Sequence, residues 1–223
     1  VNAKFEQVQI AIDLSARGRR SNMNRTDVKA KSQLNVLCLA ALSWSTIAIG
    51  APAPADDLKS FATGGSRILE SQKGDLNNDG RPDALLVLDP PAPANAKLGE
   101  GPSRDVVLLI RDASGQLQKV ASNAHIVPCE ECGGTSGDPF GYSKVAPGSF
   151  TIVNGGGGRE HWSDEYTFTY SADKKDWFAS QVTRRVEDRE TGKQKSIQLT
   201  AKDLGQVSFE TFDPSHLPEV TLP

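Results

Sequence analysis

GDLNNDGRPD, residues Gly74 to Asp83, runs without interruption into ALLVLD, residues 84–89. Counted from Asp75 as position 1, side-chain oxygens fall at positions 1, 3, 5 and 9, on Asp75, Asn77, Asp79 and Asp83. Gly80 at position 6 permits a sharp turn that brings the carbonyl of Arg81 inward. These donors are all hard oxygens, which suit Ca²⁺ rather than zinc or copper. Three carboxylates in so short a loop repel one another, and a cation at the centre converts the repulsion into shared coordination. The expected metal ligands are therefore Asp75, Asn77, Asp79, Arg81 and Asp83. The alternative is a Gly/Asn-rich turn with solvated acids.

Position 12 of the loop is Leu86, where an EF-hand carries a bidentate Glu, and the residues that follow are too rich in branched apolar side chains for an exiting helix. The loop feeds a strand. In this it resembles the calcium loops of integrin-type FG-GAP repeats, in which D-x-N/D-x-D-G-x-x-D sits immediately before a buried strand.

Met23, the only methionine, opens a basic segment with Arg25, Lys29 and Lys31, followed by the apolar run from Leu34 to Ile49 and the small-residue end GAPAPA. This order is that of a cleavable secretory signal over residues 23–55, with residues 1–22 as an upstream misassigned start. The apolar run is shorter than the roughly 20 residues needed to span a bilayer. The expected mature part, residues 56–223, is long enough for one domain with its own core. Residues 1–55 carry seven Lys/Arg and three Asp/Glu of the chain's 25 and 28, so the mature part holds 18 and 25 and a net charge of −7. That balance argues against nucleic acid and makes a cationic protein the easier partner. An exported domain is expected in the periplasm, with no membrane span in its mature form. There Cys129 and Cys132 are expected to pair; a redox-active C-x-x-C and half of a zinc site are the alternatives, though no second Cys/His pair at ligand spacing exists.

RILESQ and ALLVLD flank the calcium loop, and the Pro-rich stretch from Pro90 to Ser103 is a surface connection. DVVLLIRD and QLQKVA flank a turn at Ala113-Ser114-Gly115, and GSFTIVN, EYTFTYS, WFASQVTRRV, KSIQLT and GQVSFETF follow, each bounded by turn residues. EYTFTY places Tyr166, Phe168 and Tyr170 on one face and Glu165, Thr167 and Thr169 on the other. The expected fold is all-β: an irregular β-propeller-like or two-sheet domain of about eight or nine strands. No internal repeat marks a regular propeller.

KGDLNNDGRPDALLVLD, CEECGG with SGDPF, and GSFTIVNGGGGREHWSDEYTFTYS ending in DWFASQV together resemble a family of secreted bacterial calcium-loop proteins. It includes periplasmic immunity proteins that inhibit lysozyme-like effectors, similar to periplasmic inhibitors of invertebrate-type and goose-type lysozymes. The resemblance spans Lys73 to about Val182 and implies a propeller-like inhibitor that inserts an exposed loop, bearing Ser-Gly and a Tyr, into the hydrolase cleft. The matching residues are Ser136, Gly137 and Tyr142, with a longer spacing than the compact S-G-x-x-Y of lysozyme inhibitors. Phe140 and Tyr142 stand as partner anchors or as pins that hold the loop on the core. The implied partner is a lysozyme-like peptidoglycan hydrolase. A calcium-stabilised cell-envelope or adhesion module with a glycan or protein partner is the other function considered. GGGGR, residues 155–159, lacks the Lys-Ser/Thr of a phosphate loop, and His125, His161 and His216 accompany no nucleophile motif, so no enzymatic activity is expected.

Overall fold

A computed structural model describes residues 58–222. The expected export signal and the residues before it lie outside the described residues. Among the described residues nine strands form two antiparallel meanders. The first sheet contains β1 (Arg67–Gly74), β2 (Asp83–Asp89), β3 (Arg104–Arg111) and β4 (Leu117–Val127), each hydrogen-bonded to the next. The second contains β5 (Phe140–Ala146), β6 (Ser149–Gly157), β7 (Glu160–Ser171), β8 (Asp176–Asp188) and β9 (Gln194–Thr200), in the same sequential order. The domain is thus the two-sheet form of the expected all-β fold. Among the described residues no helix is long and apolar enough to cross a membrane.

One core lies between the sheets. Leu85, Val87, Val106, Leu108 and Ala121 face it from the first sheet, and Phe150, Ile152, Tyr166, Phe168, Trp177, Ala179 and Val182 from the second. The period of two places the Tyr166 and Phe168 side chains in this core and leaves Glu165 and Thr169 exposed, as the alternation requires. β2 is buried along its whole length because a second apolar layer, Ala84, Leu86 and Leu88 with Val107 and Leu109, is covered by Leu58, Phe61 and Ala62 of the short turn that precedes β1. A strand covered on both faces has no need of polar alternation, which accounts for the unbroken ALLVL.

Two segments depart from expectation. Phe140 to Ser143, expected as the end of a loop, instead open the edge strand β5, with a register shift between Phe140 and Tyr142. GQVSFETF, expected as a strand, makes a single bridge between Ser208 and Phe178 and otherwise turns. Its Phe209 and Phe212 plug the core edge-on to Phe168, with ring centroids 5.4 and 5.2 Å away. Asn123 Nδ2 donates to the carbonyls of both residues, at 2.6 and 2.8 Å. Apolar residues three apart fit a turn that drops both rings inward rather than a strand. Each ring buried contributes about 1.5–3 kcal/mol.

Candidate functional site

The Asp75-to-Asp83 loop is the connection of the β1–β2 hairpin, closed by the pair Gly74 and Asp83. Its conformation follows from its own side chains. Asp75 accepts from the N–H groups of Asp79 and Gly80 at 2.9 and 2.8 Å, and Gly80 takes the positive φ of 84° that this turn requires. Asn77 Nδ2 donates to Asp79 at 2.8 Å, and the Arg81 guanidinium reaches the same oxygen at 2.6 Å. Asp83 is nearly fully buried and accepts from the N–H of Leu76 and of Arg111, each at 2.9 Å. Leu76 enters the core, and the Trp177 indole N–H donates to its carbonyl at 2.8 Å.

The loop gathers three carboxylates, and Arg81 forms an ion pair with one of them, Asp79. Burial, then the charges of Asp79 and Asp75, push the Asp83 carboxyl above its ordinary value despite its two N–H donors. Partial desolvation opposes ionisation of Asp79, but hydrogen bonds from Asn77 and Arg81 outweigh it and hold that carboxyl low. The oxygen donors suit a hard cation in chemistry and in charge. Asn77 and Arg81 turn to Asp79, while Asp75 and Asp83 accept from backbone N–H groups, and among the described residues no group of three or more His, Cys, Asp or Glu is arranged to hold an ion.

The second candidate region begins at Cys129 and Cys132, which are disulfide-bonded. The short turn Glu130–Ser136 lies on β6, where Thr135 Oγ1 and Ser136 Oγ both donate to the Gly157 carbonyl, at 3.1 and 3.0 Å. The glycine run is therefore a bed for this turn: a Cβ on Gly156 would stand 2.8 Å from the Gly133 carbonyl oxygen. Gly137 turns the chain with φ 86°, and Asp138 then meets Arg104. The Arg104 side chain is completely buried and donates to Asp138 through Nη1 and Nη2, at 2.5 and 2.7 Å, and to Asp89 through Nε at 2.8 Å. Such a fork on a planar carboxylate is the geometry that favours Arg over Lys. Beyond it Phe140 packs against the core, while Tyr142 is 53% exposed.

The four sequence-predicted partner residues are thus dispersed in role. Ser136 and Gly137 belong to the braced turn and are exposed with it, Phe140 pins the chain to the core, and Tyr142 is the one large apolar side chain of the four that is exposed. Sequence reasoning missed Arg104 and Asp138, because an arginine opening an apolar strand reads as a surface residue. The composition GGGG within a strand carried the signal for the close approach of the turn. Of the histidines, His125 Nδ1 lies 3.9 Å from Asp213 at the surface, and His161 is half-buried with Nδ1 unpartnered.

No family model, curated protein or solved structure matches this chain. The family resemblance therefore rests on the motif residues quoted above.

Proposed function

We propose that this protein is a calcium-stabilised, non-catalytic inhibitor that binds a lysozyme-like peptidoglycan hydrolase in the periplasm, with Tyr142 as its anchor. The observation that carries this reading is the exposure of Tyr142 immediately after a segment fixed at several points: the disulfide, the hydroxyl bonds to Gly157 and the Arg104–Asp138 fork. A tyrosine on a stiff support loses little entropy on docking and offers both apolar area and a hydroxyl. In a glycosidase cleft that hydroxyl would meet the paired carboxylates that flank the scissile bond. The fixed geometry alters the manner of insertion: Ser136 to Phe140 are committed to the fold, so the inserting element is the bulged edge strand β5 rather than a free loop.

Calcium, held by Asp75, Asn77, Asp79, Asp83 and the Arg81 carbonyl, would add positive charge among the three carboxylates and would act on the scaffold. The test is a turbidity assay of peptidoglycan lysis with goose-type, invertebrate-type and effector-type lysozymes. Inhibition of one class near stoichiometric ratio is expected. Tyr142→Ala should weaken it by about 2 kcal/mol or more, as for a buried aromatic anchor, with the melting temperature nearly unchanged. Absence of inhibition across the panel refutes the proposal, as does an unaltered inhibition constant for Tyr142→Ala.

A further inference from the structure

The inner face of the second sheet changes character along its strands. One cross-strand row is Phe150, Phe168 and Ala179, and the next is Ile152, Tyr166 and Val182. The row after that is Asn154, Asp164 and Arg184, polar throughout and still on the inward face. It is followed by Trp162, paired with Gly156 and Val186. This polar row and Trp162 line a cleft of about 430 Å³, walled opposite by the end of β4 and by residues 214–221. The volume lies within the roughly 300–1,000 Å³ of small-molecule sites.

Most of the row has a structural assignment. Arg184 donates to both oxygens of Asp164, at 3.1 and 3.0 Å, and to the Pro218 carbonyl at 3.1 Å. The Tyr166 hydroxyl donates to Asp164 at 2.8 Å. Asn154 Nδ2 donates to the Ile126 carbonyl at 2.8 Å, and that carbonyl fixes which end of the amide is nitrogen. One group is left over. Asn154 is only 2% exposed, and its Oδ1 is buried with no hydrogen-bond partner. A buried acceptor without a donor bears its full desolvation cost, and here it belongs to a side chain that lines an open cleft.

The complementary ligand follows from these groups. It donates a hydrogen bond to Asn154 Oδ1, which has almost no exposed surface and must turn toward the cleft to accept it. It accepts from Arg184, three of whose five N–H groups are taken. It lays an apolar face against the Trp162 indole. Arg184 and Asp164 cancel each other's charge, and Glu219 among the lining residues disfavours an anion. A neutral ring with adjacent hydroxyls and a C–H face meets every requirement, and we propose that this cleft is a saccharide site.

Tyr142 pairs with Val153, whose side chain points to the opposite face of β6 from Asn154, so this site is separate from the proposed inhibitory anchor. The experiment is a ¹H–¹⁵N titration of the intact protein with cellobiose and with N,N′-diacetylchitobiose. At least one disaccharide should shift the Trp162 indole N–H and the Asn154 side-chain amide saturably, with a Kd on the order of 1 mM. Trp162→Ala should weaken binding tenfold or more, Trp162→Tyr should restore part of it, and Tyr142→Ala should leave it unchanged. No saturable shift with either sugar at roughly 20 mM, well above such a Kd, overturns the proposal. Saturable shifts confined to residues outside the cleft overturn it as well.

Discussion

Replacing Asp138 with Asn tests whether the segment leading to Tyr142 is fixed by its buried ion pair. Arg104 is completely buried and Asp138 is its forked partner, at 2.5 and 2.7 Å. Asparagine keeps one oxygen but sets an amide N–H₂ against a guanidinium N–H and removes the negative charge. Breaking a fully buried pair costs about 3–5 kcal/mol. The Asp138 side chain is 37% exposed, so water screens the pair, and Asp89 still holds Nε; a loss of about 2 kcal/mol is expected. For a domain of this size that lowers the melting temperature by roughly 4–8 °C. The assay is thermal and urea unfolding of wild type, Asp138→Asn, Arg104→Met and the double variant. The double variant should be more stable than the sum of the single losses predicts. A single loss below about 0.5 kcal/mol, the range of ordinary surface substitutions, refutes the argument.

The same pair predicts a pH dependence. Partial desolvation acts to raise the Asp138 carboxyl, but the hydrogen bonds from Arg104 and from the Phe140 N–H, with the charge of Arg104, hold it below 3.8. A carboxyl depressed in the folded state binds fewer protons there than in the unfolded chain. Its contribution is therefore complete above the unfolded value and is lost as pH falls through the folded one. The gap between wild type and Asp138→Asn should be constant near neutrality and close below about pH 4.

Three further outcomes are expected. Melting curves in EDTA and in calcium at about one hundred times its Kd should differ by roughly 2.7 kcal/mol of stability, and Asp79→Ala should abolish the difference; superimposable wild-type curves would remove the ion from the loop. Gly156→Ala should destabilise by about 1–3 kcal/mol, because its Cβ would stand 2.8 Å from the Gly133 carbonyl oxygen and force the turn off its bed; unchanged unfolding would show that the turn is not seated there. Thiol labelling of protein isolated and denatured without reductant should find Cys129 and Cys132 blocked, and Cys129→Ser should cost about 2 kcal/mol without loss of fold; two reactive thiols in the wild type would contradict the bridge.

What the sequence disclosed and what it concealed divide by the range of the physics involved. EYTFTY and ALLVLD are local patterns, set by the period of a strand and by burial on one or both faces, and both are strands in the structure. The turn at Ala113 to Gly115 was equally legible: Asp112 accepts from the N–H groups of Ser114 and Gln116, and Gly115 takes φ 84°. β5 was not legible, since FGYSKVA mixes glycine, serine and lysine on an edge strand that needs little apolar surface. Phe209 and Phe212 looked like strand residues because nothing nearby in sequence says that Asn123, 86 and 89 residues away, holds their carbonyls. Arg104 and Asp138, 34 residues apart, are invisible to any local pattern. The same holds for the cleft: Asn154, Asp164 and Arg184 become one row only through the register of three strands.

The Asp75–Asp83 loop and the Tyr142 strand are physically coupled. The Asp75 carbonyl accepts from the Gly148 N–H at 2.8 Å, and Gly148 sits in the turn that joins β5 to β6. Glu70 on β1 accepts from the Ser143 N–H at 3.0 Å, next to Tyr142. The β1–β2 hairpin thus grips the β5–β6 hairpin at its turn and along its edge strand. An ion that tightens the Asp75 loop would therefore steady β5 without touching the partner. On this coupling, EDTA should weaken inhibition only in step with the loss of stability. Inhibition abolished by EDTA while the melting temperature held would place the ion at the interface and break the division between scaffold and anchor.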